Sequence, residues 1–106
     1  MLTAAEALDR LKKGNLRFVQ GETSHPKLLT HQERAEMAGN QEPFAIILGC
    51  SDSRVPAEMV FDQGLGDLFV IRVAGNIVAP SQVGSVEFAA DSFGCPIVVV
   101  LGHTHC

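Results

Sequence analysis

Two short segments carry the residues that could do chemistry: Cys50-Ser51-Asp52-Ser53-Arg54 and His103-Thr104-His105-Cys106. The first sets a thiolate, a carboxylate and a guanidinium at alternate positions. The second sets an imidazole and a thiolate at i and i+3, close enough to grip one ion together. Two sulfurs and one nitrogen suit zinc, which takes Cys and His in a tetrahedral shell. Three such ligands, Cys50, His103 and Cys106, leave one position for water, the layout of a catalytic zinc site. A fourth bond from Asp52 would close it.

Composition narrows the classes. With 106 residues, 46% of them apolar, the chain is one domain, just large enough to bury a core. A net charge of −4 without Lys/Arg clusters argues against nucleic acid and against an anionic membrane surface. No segment approaches the roughly 18 consecutive apolar residues of a membrane span. Met1-Leu2-Thr3-Ala4-Ala5-Glu6 lacks the basic start and apolar run of a signal peptide. The cysteine count is odd, and two of the three stand with a His and an Asp, so disulfides are the weaker reading. A reducing, cytoplasmic compartment fits that usage.

The elements that must position these groups alternate helix and strand. Thr3-Ala4-Ala5-Glu6 has the capping-box form, and Leu8, Leu11, Phe18 and Val19 follow as an apolar stripe that Gly21 ends. Thr30-His31-Gln32-Glu33 opens a second helix, expected to end at Gly39, with Ser24-His25-Pro26 as loop between the two. Runs at 44–48, 68–71 and 97–101 read as strands, the last the clearest. Pro56 suits the first turn of a short helix to about Phe61. Val83, Val86, Ala90 and Phe93 fall at helical spacing before Gly94. Strands that are continuously apolar, with helices between them, predict an α/β fold: a parallel sheet covered by helices on both faces. The expected division is an N-terminal helical arm over 1–40 and the sheet with its zinc site over 43–106, in a single domain spanning 1–106.

Cys50 directly follows the first predicted strand, and His103 follows the third after Gly102 alone. Sites in open α/β sheets form beyond the carboxyl ends of strands. If the first and third strands are parallel neighbours, about 4.8 Å apart, ligands from both reach one point. Gly49 and Gly102 are read as places where a side chain would obstruct a tight turn.

Taken in order, Cys50-Ser51-Asp52-Ser53-Arg54 and the later His103-x-x-Cys106 resemble the β-class carbonic anhydrases. The likeness extends through Phe61-Asp62-Gln63-Gly64, Arg72-Val73-Ala74-Gly75-Asn76 and Gly84-Ser85-Val86-Glu87-Phe88. It implies reversible hydration of carbon dioxide to bicarbonate by a zinc-bound hydroxide, with zinc on Cys50, His103 and Cys106. Asp52 is then either a fourth ligand or the carboxylate beside that hydroxide, paired with Arg54. The resemblance further implies that Gln41 donates a hydrogen bond to bicarbonate or CO2 and that Phe69 walls the substrate pocket. It implies a homodimer or higher homo-oligomer. It also makes the chain a truncated domain, ending at its last ligand, with the family's C-terminal strand and helices missing. Where some bacterial members carry the tryptophan of an inhibitory bicarbonate pocket, this chain has Ile47, which leans against that regulation.

The remaining candidates read more plainly. Cys95, before Pro96, is expected to be a small buried apolar residue. His25 and His31 are expected at the surface, and His105 in an orienting or exposed role. Gly14 interrupts the first helix without an evident purpose. Two rival functions remain: a hydrolase of the same fold acting on CS2 or COS, and a non-catalytic zinc-binding scaffold. A redox protein fits poorly, because no Cys-x-x-Cys is present.

Overall fold

The structure is a computed structural model that describes residues 1–24 and 30–106. The expectations for His25 and Pro26 lie outside the described residues. Helix α1 (Ala4–Gln20) starts at the predicted capping box, Thr3 Oγ1 accepting from Glu6 N at 3.1 Å and Glu6 Oε1 accepting from Thr3 N at 2.9 Å. It ends at Gly21, whose φ of 70° supplies the left-handed cap. Helix α2 (His31–Glu36) starts the same way at Thr30. It tightens into a 3₁₀ turn over Met37–Gly39 rather than staying α-helical to Gly39.

Three strands follow, β1 (Ala45–Gly49), β2 (Leu68–Arg72) and β3 (Val98–Leu101), all parallel, in the order β2-β1-β3. The short α3 (Ala57–Val60) lies between β1 and β2, with Pro56 one residue ahead of its first turn. A 3₁₀ turn (Ala74–Asn76) and α4 (Pro80–Phe93) lead from β2 to β3. The start of α4 escaped the sequence pattern because no Ser, Thr, Asp or Asn caps it. Gln82 Oε1 accepts from Ala79 N instead, at 3.1 Å.

The core lies on both sides of β1, whose five residues are all buried. On one face Ala45 and Ile47 pack with Ala7 and Leu11 of α1, Ala57 and Val60 of α3, and Phe61. On the other, Ile46 packs with Ala89 of α4, Ile71, and half-buried Phe69, Val86 and Phe93. Helix α4 crosses β2 and β1 but leaves β3 open, so Val98 and Val100 are 45% and 65% exposed. The expectation of helices over both faces therefore holds for β1 and fails for β3. Val83 and Ala90 also face outward, because the covering face of α4 runs through Val86, Ala89 and Phe93.

The stripe predicted on α1 is displaced as well. The helix buries Ala7, Leu11 and Gly14, while Leu8, Phe18 and Val19 are exposed. The cause is close approach: a Cβ on Gly14 would stand 1.8 Å from Phe61 O. Small residues let α1 sit against the chain after α3, and the larger ones rotate away. Polar ties fix that seat: Arg17 Nε donates to Asp62 Oδ2 at 2.6 Å, and Asn15 Nδ2 to Val60 O at 3.0 Å. Ser24 adds its backbone N–H and hydroxyl to the same buried carboxylate.

Gly14→Ala should therefore destabilise the fold by about 1–3 kcal/mol through overpacking. This outcome runs against the ~1 kcal/mol that alanine offers a helix over glycine. Denaturant unfolding checks it, and a midpoint at or above the parent's would contradict the close contact.

Candidate metal centre

The parallel register decides which loops meet. Gly49, the last residue of β1, is paired with Arg72 on one side and Leu101 on the other. The chain leaves all three strands at one edge, with Cys50 just after Gly49 and Gly102-His103 just after Leu101. Cys50 Sγ, a ring nitrogen of His103 and Cys106 Sγ lie within 4.8 Å of one another. The two sulfurs are 4.0 Å apart. Sulfurs bonded to one tetrahedral zinc at about 2.3 Å would be about 3.8 Å apart, so the spacing fits.

His103 gives an independent sign of a ligand. Its Nδ1 faces Thr104 O at 2.8 Å, and a carbonyl only accepts, so in the neutral ring Nδ1 carries the proton. Nε2 is then a bare lone pair, buried and without a hydrogen-bond partner. This is the arrangement of a metal-ligating histidine, whose second nitrogen is fixed by a carbonyl. The donor set, the sulfur spacing and the orphaned nitrogen all fit zinc.

Electrostatics prepare the sulfur. Gly75 N donates to Cys50 Sγ at 3.3 Å. That bond, His103, and the Asp52 backbone N–H together lower the Cys50 pKa to about 6. Cys106 shifts the other way, raised chiefly by the neighbouring Cys50 sulfur. His103 is raised too, first by Cys50 and then by Thr104.

Asp52 stands beside this cluster, held by Arg54. Arg54 Nε donates to Oδ1 at 2.9 Å and Nη2 to Oδ2 at 2.7 Å, a bidentate pair, while Arg54 N donates to Oδ1 at 2.9 Å. Arg54 keeps the Asp52 carboxyl far below the usual carboxylate range. Arg54 Nη2 also donates to His105 O at 3.1 Å, tying the dyad to the loop that ends in Cys106. His105 takes part through this carbonyl, at a left-handed φ of 57°.

Gln41 and Phe69 are not brought to the cluster within the chain. Gln41 precedes β1 and lines a cavity of about 610 Å³ with Leu2, Arg10, Phe44 and Phe93, at the end of the sheet opposite Cys50. Phe69 is paired with Ile46, three places before Gly49, and stacks among Phe88 and Phe93 with ring centroids 6.0 and 5.8 Å away. Cys95 is half-buried and donates to Pro43 O at 3.2 Å; burial raises its pKa. The crowding expected at two glycines is absent: a Cβ at Gly49 would meet Leu101 O at 3.8 Å, and one at Gly102 nothing within 4 Å.

Sequence reasoning assigned no role to Arg72, Gly75 or Asn76. Arg72 Nε donates to Cys50 O at 2.7 Å and Nη2 to Asp52 O at 2.6 Å, fixing the path of the loop. The available signal was a cation ending an otherwise apolar strand, and strand patterning does not say where such a cation reaches.

A family model described as carbonic anhydrase matches residues 45–106. The chain belongs to the carbonic anhydrase family. It is 50% identical over 96 residues to carbonic anhydrase 2 of Mycobacterium tuberculosis, covering 91% of this chain and 46% of that protein. The chain thus spans about half the length of the curated relatives it matches. Its fold is that of the β class. A tetrameric β-carbonic anhydrase from Sordaria macrospora superimposes with a TM-score of 0.64 at 34% identity, over 72% of this chain and 42% of that one. The apo form of a carbon disulfide hydrolase superimposes with a TM-score of 0.57 at 27% identity, over 93% of this chain and 41% of that one.

In the zinc-free protein, Cys50 should titrate with a midpoint near 6, seen as thiolate absorbance in the ultraviolet that Cys50→Ser removes. Because its folded pKa lies below the ordinary thiol value of 9.0, the stability it contributes is complete only above about 9. That contribution shrinks as pH falls and is gone below about 6. A midpoint near 9 would contradict the hydrogen-bonded thiolate.

Proposed function

We propose that this chain carries the zinc site of a carbonic anhydrase, which interconverts carbon dioxide and bicarbonate. One observation carries the reading: Cys50, His103 and Cys106 converge within 4.8 Å while Asp52, bidentate on Arg54, stands beside them. Zinc held there would supply a Lewis acid that brings the pKa of water down toward about 7.

The chain's own residues do the rest. Cys50 and Cys106 offer thiolates and His103 its free Nε2. Asp52, kept ionised by Arg54, is an acceptor for the proton of the attacking oxygen and so aims a lone pair at carbon. Arg54 restrains Asp52 from turning to close the site as a fourth ligand. Arg72 holds the carbonyls on either side of Ser51, so the thiolate and the carboxylate keep a fixed separation.

The substrate contacts require a second copy. Gln41 stands at the far end of β1, so its amide serves a substrate only in a partner's site. Exposed Leu8, Leu16, Phe18 and Val19 on α1 support a homodimer or larger assembly, as they lack cover in the single chain. Phe69, stacked in the three-ring cluster, walls a pocket through that cluster's outer edge, where Phe88 is 53% exposed. Free cysteines at positions 50, 95 and 106 suit a reducing, cytoplasmic setting. Among the described residues, no helix is long and apolar enough to cross a membrane. The structural likeness to a carbon disulfide hydrolase supports a second reading, attack on another linear molecule at the same site.

Asp52→Asn should keep zinc near one per chain while lowering CO2 hydration by ~10²-fold, the usual weight of a positioned proton acceptor. Arg54→Ala should act in the same direction by freeing Asp52 to close the site. Metal analysis beside stopped-flow hydration tests both, with CS2 turnover run on the same samples. Parent-like rates in either variant would make the dyad structural, and turnover of CS2 alone would favour the second reading.

A further inference from the structure

Among the described residues, two side-chain polar atoms are buried without a hydrogen-bond partner: His103 Nε2 and Asn76 Oδ1. Such atoms are few in native proteins and call for an explanation. The first is explained by the metal site. The second belongs to a residue with no role in the chemistry above, yet Asn76 sits between the two loops that carry the ligands. Its neighbour Gly75 places a backbone N–H on Cys50 Sγ at 3.3 Å. Its own Nδ2 donates to Leu101 O at 2.7 Å, at the end of β3 and two residues before His103. A carbonyl only accepts, so the amide nitrogen must face Leu101, which sets the orientation of the whole side chain. The backbone of Asn76 has a φ of 56°, the left-handed region that glycine enters freely and asparagine more readily than most. Its N–H is bound to Val73 O at 3.0 Å. Gly75 and Asn76 thus hold the two sides of the site from the end of β2, and Asn76 holds the side of His103.

We propose that Asn76 is a positioning residue for the metal centre, its amide bond to Leu101 O setting where His103 and Cys106 stand relative to Cys50. The proposal rests on the metal reading of Cys50, His103 and Cys106. Arg54 ties the same loop further along, at His105 O, and His103 Nδ1 binds only its neighbour Thr104. The side-chain bond from Asn76 reaches the strand end from which His103 departs. Groups that hold a metal's ligands in this way change its affinity by about 10–100-fold when removed.

Glycine separates the two roles Asn76 could have. Asn76→Gly accepts the left-handed backbone without strain but deletes the amide, so a residue needed only for the turn would leave metal binding unchanged. The experiment compares parent, Asn76→Gly and Asn76→Asp by zinc affinity against a chromophoric chelator, by the visible spectrum of the cobalt(II)-loaded protein, and by thermal unfolding without metal. Asn76→Gly should unfold, zinc-free, at or above the parent temperature. It should bind zinc about 10–100-fold more weakly and show altered cobalt bands. Asn76→Asp, which sets a carboxylate against the Leu101 carbonyl, should lose at least as much affinity. Parent-like affinity and spectrum in Asn76→Gly overturn the proposal and leave the metal reading standing. A zinc-free Asn76→Gly that is less stable than the parent marks a general structural role and also overturns it. A parent that takes up no zinc overturns both.

Discussion

Gly49 stands between Arg72 and Leu101 in a parallel ladder, and the rest of the site depends on that register. Parallel strands release their chains at the same edge, so three connections emerge side by side from β2, β1 and β3. One brings Cys50 with Asp52 and Arg54, one brings His103 and Cys106, and the third brings Arg72, Gly75 and Asn76. A one-residue slip of β3 would exchange its two faces and carry His103 away from Cys50. Burial opposes such a slip: Val99 and Leu101 pack toward α1 and α3, on the same face as Ala45 and Ile47.

The charges at this edge are divided by task. Arg54 engages the Asp52 side chain through both oxygens and keeps it ionised. Arg72 engages carbonyls only, those of Cys50 and Asp52, and so shapes the loop without neutralising a ligand. The thiolate of Cys50 is favoured mainly by a backbone N–H from Gly75, and the ligand pair holds its two sulfurs in unequal states before a metal arrives. A metal taken up there would displace a proton chiefly from Cys106, while Cys50 is ready near neutral pH.

Much of this was legible from the chain. Capping boxes at Thr3 and Thr30 gave the helix starts, and three β-rich apolar runs gave the strands, to within a residue or so. Cys50, His103 and Cys106 were readable because their positions after strand ends imply convergence once the strands are parallel neighbours. What the pattern could not supply was depth of contact. Apolar periodicity pointed to Leu8 and Phe18 on α1, but Gly14 and Ala7 pack there because they allow the backbone of Phe61 to come close. The reach of long polar side chains was equally hidden: nothing in the spacing of Arg72 or Asn76 says which carbonyl each will find. Gln41 shows the same limit from the other side, since a motif position does not reveal that β1 separates it from Cys50 in one chain.

The central claim is that Cys50, His103 and Cys106 form one zinc site at the carboxyl edge of the sheet. X-ray absorption at the zinc edge of the loaded protein tests it most directly. The predicted shell has two sulfurs at about 2.3 Å, one imidazole nitrogen at about 2.0 Å and one further light atom. A shell with fewer than two sulfurs, or one unchanged by Cys50→Ser, would contradict it.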